Sequence, residues 1–308
     1  MKRNFFKHGL ILILVAAVLP ISCSKNGKTD VEQERSSVTV EDGIGHSVTV
    51  GKVPSKVISL GAASTEILFE IGAEKQIAAV SDVSNYPEAA KSLPTIGGFD
   101  AKTISIEKIV SFNPDLIIIY SGMHDFMIPS MEKFGIPYYV SKAATISDVI
   151  DEIRDIAYLT GHKSKGDELS DGYKKIVDEL SKSISGQEAK PKVYWEVYNN
   201  PYMSIGKNSF MTDVVKICGG KNIFDNVEQD YPVVSEETII ASDPDFILLP
   251  NDMYMNGDEV KGRAGWQNIS AVKNGNIIII DADIYTRPGP RIFAALQSMN
   301  KILYGKAD

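Results

Sequence analysis

The chain has 308 residues, 44% of them hydrophobic and 23% charged, which is enough for two domains of the usual ~100–200 residues around a sizeable core. Lys plus Arg number 32 against 40 Asp plus Glu, and the net charge of −8 excludes the broad basic surface that sequence-independent nucleic-acid binding requires. Two cysteines and four histidines exclude a disulfide-stapled scaffold or an iron–sulfur cluster and leave little for a metal cage.

Residues 1–22 read as an export signal that stands outside the fold. Lys2, Arg3 and Lys7 form a positive start, and residues 10–19 are an unbroken apolar run too short to span a bilayer. The segment Leu19-Pro20-Ile21-Ser22-Cys23 resembles a bacterial lipobox, which implies that Cys23 is lipidated and becomes the mature N-terminus; Ala16-Ala17 is the alternative cleavage point. Residues 23–37 are then a polar tether without apolar periodicity, with an end-to-end distance of roughly 20 Å. Contact with the membrane is expected through the lipid anchor alone, because no other apolar run approaches ~20 residues. With Cys23 lipidated, Cys218 has no disulfide partner and reads as a small core residue.

Beyond the tether, Val38-Thr39-Val40 and Val48-Thr49-Val50 alternate around a glycine-containing turn and predict a β-hairpin. Short apolar runs at 57–60, 77–80, 116–120 and 138–140 suit strands buried on both faces, and they alternate with helical patterns at 65–71 and 106–111. A second series of strands at 193–197, 246–249 and 277–280 alternates with helices at 210–218 and 292–304. Between the two series, residues 164–185 place Leu169, Tyr173, Ile176, Val177, Leu180 and Ile184 at helical spacing. The expected fold is α/β: two Rossmann-like lobes, 38–160 and 188–308, bridged by one long helix within 161–187, with a ligand cleft between them. A helix packed on one lobe alone is the plainer reading of that segment.

One internal correspondence links the two series. Residues 105–117 align without a gap on residues 235–247: a Ser precedes a Glu by two, a short helix follows, Pro-Asp ends it, and an apolar strand begins. Glu107 and Glu237 are therefore equivalent positions. Read as local structure, each is an acid in the first turn of a Ser-capped helix, stabilised by ~0.3–1 kcal/mol from the helix dipole. Paired acids on matching edges of two lobes also suit basic residues on a two-fold symmetric partner.

The motif order resembles a known family. It runs from Glu41-Asp42-Gly43-Ile44-Gly45-His46 and Lys56-Val57-Ile58-Ser59-Leu60 through Ser64-Thr65-Glu66, Asn85-Tyr86-Pro87, Ile96-Gly97-Gly98-Phe99 and both Glu/Pro-Asp units. It continues through Cys218-Gly219-Gly220-Lys221-Asn222-Ile223-Phe224 and ends at Arg287-Pro288-Gly289-Pro290-Arg291. Over about residues 38–305 the chain resembles the substrate-binding proteins of bacterial ABC importers for ferric siderophores, haem and cobalamin, the class with a rigid inter-lobe helix. The resemblance implies a cargo-binding protein with no permanently bound cofactor, whose partners are a metal chelate and a permease dimer with its ATPase subunits. It implies that Glu107 and Glu237 dock onto arginines of that permease, and that ligand-stacking aromatics stand at Tyr202 and Tyr231.

Ligands of open α/β sheets bind beyond the carboxyl ends of the strands, which places the site in the cleft. There Gly61-Ala62-Ala63-Ser64 lets a ligand approach a helix N-terminus, although the same residues also make a plain tight turn. Tyr86 and Phe99 offer flat faces at the rim or else belong to the core. Arg287, four residues after Asp283, can give a carboxylate, a catecholate or a side-chain amide paired hydrogen bonds, or can instead form an ion pair with Asp283. The Asp-x-x-x-Arg spacing with Tyr231-Pro232 resembles cobalamin binders, and the Arg-Pro-Gly-Pro-Arg run resembles ferric-siderophore binders. His124 is a candidate axial ligand to iron or cobalt, while His46 and His162 lie apart from it.

There is no G-x-S-x-G elbow, Walker loop, G-x-G-x-x-G after a strand or H-E-x-x-H, so an α/β hydrolase lacks its usual parts and the expectation is a binding protein. The remaining alternative is an exported adhesin or interaction module without a small ligand. Saturable chelate binding separates the two.

Overall fold

The computed structural model describes residues 37–98, 101–187 and 189–305. The export signal, the lipidation candidate Cys23, nearly all of the tether and Phe99 lie outside the described residues.

A hairpin opens the fold, with β1 (Val38–Glu41) antiparallel to β2 (Ser47–Val50). Val48 and Val50 face the core, and the Asp42 carboxylate organises the turn by accepting from Ile44 N and His46 N. Its other oxygen accepts from Val140 N at 3.0 Å, which ties the hairpin to the first sheet.

The elements of the first lobe are β3 (Val57–Ser59), α1 (Ala62–Glu70), β4 (Ile77–Val80), α2 (Ile106–Ser111), β5 (Leu116–Tyr120), α3 (Ile128–Phe134), β6 (Tyr138–Ser141) and α4 (Ile146–Leu159). The strands form a parallel sheet in the order β4-β3-β5-β6. Ile117, Ile118 and Ile119 are all fully buried, so β5 is a continuous apolar run rather than an alternating one, as expected for a sheet covered on both faces.

The second lobe holds β7 (Lys192–Asn199), β8 (Tyr202–Ser204), α6 (Phe210–Ile217), β9 (Lys221–Asn222), α7 (Glu236–Ser242), β10 (Phe246–Pro250), α8 (Asp258–Lys261), α9 (Ser270–Asn274), β11 (Ile277–Ile280), α10 (Ala282–Tyr285) and α11 (Ile292–Tyr304), where α5 is the intervening helix Lys163–Ile184. Its sheet runs β11-β10-β7-β8, with β9 also beside β7 and only β8 antiparallel.

The internal correspondence extends to atomic detail. Ser105 and Ser235 each cap a helix by accepting from the backbone N–H three residues on. Asn113 and Asp243 each take a left-handed conformation, φ 50° and 47°, which short polar side chains tolerate best after glycine. Lys56 Nζ donates to Phe112 O and Lys192 Nζ to Ser242 O, while Asp115 accepts from Lys56 N and Asp245 from Lys192 N. Each lobe thus fastens its helix end to its own first parallel strand by the same Lys–Asp pair.

Helix α5 has 22 residues, about 33 Å of helix, and touches both lobes. Tyr173 stacks on Phe293 of α11 with ring centroids 3.9 Å apart, and Ser170 Oγ donates to Ile150 O of α4. Gly166 permits the tight α4–α5 approach, since a Cβ there would stand 2.4 Å from Ala157 Cβ. The largest apolar cluster draws on both sheets and on Leu180 of α5, whereas the two smaller clusters each belong to one lobe. No helix among the described residues is long and apolar enough to cross a membrane.

Candidate functional site

A cavity of about 470 Å³ opens between the lobes at the carboxyl ends of the parallel strands. From the first lobe it is lined by residues 60–64, Val83, Tyr120, Met123, His124 and Ser141, and from the second by Tyr231, Asp252, Ala282, Asp283, Thr286, Arg287 and Pro288.

The turn from β3 into α1 forms one wall. Gly61 starts the helix without a side-chain cap, and behind it Ser59, Ser64, Thr65 and Ser84 form a buried hydroxyl network with contacts of 2.7–3.0 Å. Small hydroxyl residues keep this wall thin and satisfied, and the start of α1, residues 61–64, lines the cavity.

Against this wall lies a charged cluster that spans the lobes. Arg287 Nη2 donates to Asp283 Oδ1 at 2.5 Å and Nη1 to Asn85 Oδ1 at 2.7 Å, while Asn85 Nδ2 donates to Asp283 Oδ2 at 2.8 Å. Glu66, almost wholly buried, receives Arg291 on both oxygens at 2.8 and 2.6 Å and stands 3.5 Å from Arg287. The Glu66 carboxylate raises the Arg291 pKa further above its ordinary value. Arg287 therefore does form the ion pair with Asp283, yet as part of a junction between lobes rather than as an isolated surface pair.

The predicted residues divide accordingly. Tyr231, Asp283 and Arg287 meet in the cavity. Tyr86 is half-exposed beside it, its ring under the Arg291 guanidinium at 4.3 Å. Tyr202 is not among the lining residues: it packs on Trp266 and Arg263 and donates to Glu236 at 3.4 Å. His124 borders the cavity, and its Nδ1 accepts from Tyr120 N at 3.1 Å, which leaves the proton on an unpartnered, buried Nε2. Burial pulls its pKa below the ordinary histidine value, so the ring is neutral at pH 7. Metal ligation through Nε2 would require the opposite tautomer and the loss of the Tyr120 bond. Glu107 and Glu237 are exposed and do not line this cavity, and each is held below the usual carboxylate pKa by backbone N–H at its helix start and by the neighbouring serine.

Sequence reasoning did not pick out Glu66, Asn85, Asp252 or Arg291 as site residues. Three of these, Glu66, Asn85 and Arg291, stand inside quoted motifs, but the Glu66–Arg291 pair is separated by 225 positions, and nothing local announces it.

The periplasmic binding protein family model matches residues 57–284, most of the chain and both lobes. The chain belongs to this family. Among relatives, it is 28% identical over 305 residues to an uncharacterised ABC transporter substrate-binding lipoprotein, YvrC, of Bacillus subtilis, covering 95% of each chain. It is 29% identical to a vitamin B12-binding protein of Vibrio vulnificus over 82% of this chain and 92% of that one. A solved structure of a possible iron-binding periplasmic solute-binding protein from Staphylococcus epidermidis matches with a TM-score of 0.70 and 31% identity, over 82% of this chain and all of the other. The cavity is lined from both lobes of the matched region and not from either one alone.

Proposed function

We propose that this protein is the extracytoplasmic, lipid-anchored substrate-binding component of an ABC importer, which captures a metal chelate, a ferric siderophore, cobalamin or haem, and hands it to a permease. The observation that carries the reading is the cavity at the strand ends, lined from both lobes by Tyr231, Asp283 and Arg287 together with the α1 N-terminus. The relatives named for vitamin B12 and for iron favour a chelate as cargo. The lipobox-like Cys23 and a relative named as a lipoprotein favour an anchor at the outer face of the cytoplasmic membrane.

Docking falls to Glu107 and Glu237. They occupy equivalent positions on exposed helix starts, one per lobe, which suits a permease dimer whose two halves present the same basic residues. Capture and docking then use different surfaces.

The test is calorimetric titration of the full-length protein in detergent with cobalamin, haem and ferric siderophores. Sub-micromolar binding of one of them, lost in Tyr231→Ala, is the expected result. Absence of saturable binding to every chelate would overturn the reading.

A further inference from the structure

From the charges around the cavity we infer that it selects chelates without net negative charge and rejects polyanionic ones; this rests on the chelate reading above and narrows it. Three charged side chains line the cavity among the described residues: Asp252, Asp283 and Arg287, with no lysine. Their sum is −1. The cluster behind them adds Glu66 and Arg291, which are paired with each other on both oxygens, so the sum stays −1.

The one lining cation is already engaged. Arg287 reaches Asp283, Asn85 and Glu66 at 2.5, 2.7 and 3.5 Å, and its side chain keeps only 18% of its exposure. An incoming carboxylate or catecholate competes for this guanidinium with Asp283 and Asn85, which already hold Nη2 and Nη1. Asp283 stays four residues from Arg287 with its own negative charge close to the ligand, so an anionic ligand shares a cation that is already neutralised and meets repulsion.

What the cavity still offers is hydrogen-bond donors without a full charge. The first backbone N–H groups of α1 carry a partial positive charge and bond a carbonyl oxygen as well as an anion. His124 borders the cavity as a neutral ring and adds no positive charge to it, its Nε2–H being buried. The remaining wall mixes the uncharged hydroxyl side chains of Tyr120, Ser141, Tyr231 and Thr286 with apolar Leu60, Val83, Met123 and Pro288. Neutral polar groups, surplus carboxylate and a partly apolar wall match the amide-bearing edge of a corrinoid or the oxygens of an uncharged ferric hydroxamate. They do not match a ferric tricatecholate with three negative charges or a haem with two propionates.

The experiment titrates the full-length protein with four probes: cyanocobalamin, a neutral ferric trihydroxamate, haem and a ferric tricatecholate. At least one neutral probe should bind 100-fold tighter than either anionic one. Asp283→Asn and Asp252→Asn should each narrow that ratio at least tenfold by strengthening the anionic probes. Haem or tricatecholate binding as tightly as the better neutral probe overturns the charge selectivity and leaves the chelate reading standing. Binding of none of the four overturns both.

Discussion

Arg291, at the start of the last helix, places Nε and Nη2 2.8 and 2.6 Å from the two carboxylate oxygens of Glu66 in α1, so that a bidentate pair joins the first helix of one lobe to the last helix of the other. Planar guanidinium and planar carboxylate meet edge to edge, the geometry that makes such pairs strong and directional. Glu66 is 3% exposed in its side chain and Arg291 20%, so removal of the arginine leaves the more costly group behind. We expect Arg291→Ala to cost about 3 kcal/mol and Glu66→Gln about 1–2 kcal/mol, less because the surviving guanidinium keeps water. Urea midpoints of the two variants check this, and equal shifts would show that burial does not govern the pair.

Glu107 and Glu237 make a different prediction, because each is fully exposed and its loss leaves the Ser105 and Ser235 caps in place. The double variant Glu107→Ala/Glu237→Ala should keep its thermal midpoint and its chelate affinity while uptake by the intact importer disappears. Retained uptake would remove both residues from the docking surface. Loss of affinity would merge docking and capture into one surface.

The lobes and their order were legible because strands buried on both faces are written as short apolar runs and the bridging helix as a three-and-four spacing. Predicted and observed bounds of α2 and β5 coincide, and residues 164–185 differ from α5 by one position at each end. The repeated Ser-x-Glu…Pro-Asp unit even exposed the symmetry of the lobes. The cavity was half legible. Asp283, in α10, and Arg287, just past its end, are only four residues apart, so their spacing advertised them, whereas Asn85, Glu66 and Arg291 come from three distant segments that only the folded lobes bring together. Tyr202 was a candidate through the resemblance alone, and only the positions of Trp266 and Arg263 show that its ring packs on them within the second lobe and not along the cavity lining.

That packing is itself testable. Arg263 packs against both Tyr202 and Trp266, at 5.1 and 4.7 Å from their rings, and clasps the fully buried Glu196 with two bonds of 2.6 and 2.8 Å. Tyr194 and Tyr254 also donate to Glu196, so the carboxylate is satisfied only while the arginine neutralises it. Arg263→Ala should cost about 3–5 kcal/mol by stranding a buried charge. Tyr202→Phe keeps the ring over Arg263 and should leave both chelate affinity and, within about 1 kcal/mol, stability unchanged. A tenfold loss of affinity in Tyr202→Phe would restore that residue to the ligand site.

Glu152 sets a pH dependence. It is buried in α4, where it accepts from Ser141 Oγ at 2.7 Å and Lys142 N at 2.6 Å, and burial pushes its pKa up to about 7 against those bonds. Asp155, one turn on, is pushed up to about 6 by the same cause. Because the folded values lie above the unfolded ones, the native state holds these protons longer. The stability they contribute is complete below the unfolded values near 4.5 and 3.8, and it is lost as pH rises through about 6 and 7. Glu152→Gln should therefore flatten the decline in unfolding free energy between about pH 4.5 and 7 by on the order of 3 kcal/mol. An unchanged pH profile would place the titration elsewhere.

The last prediction concerns motion. A hinge between two lobes opens easily when each has its own core and the link is a loop; here the largest apolar cluster runs through both sheets, Tyr173 stacks on Phe293, and Ile146 N donates across to Asp213 at 2.8 Å. Opening the cleft by a large rotation would pull apart this shared core and the Glu66–Arg291 pair together, at a cost far above what one ligand supplies. Ligand binding should accordingly shift the backbone by no more than about 1 Å, as in other pre-organised sites. Distances between spin labels on α3 and α9, one on each lobe, would measure it: coincident distributions with and without chelate are expected. Tyr173→Ala should broaden them. A shift of several ångström in the unmodified protein would show that the bridging helix does not restrain the lobes.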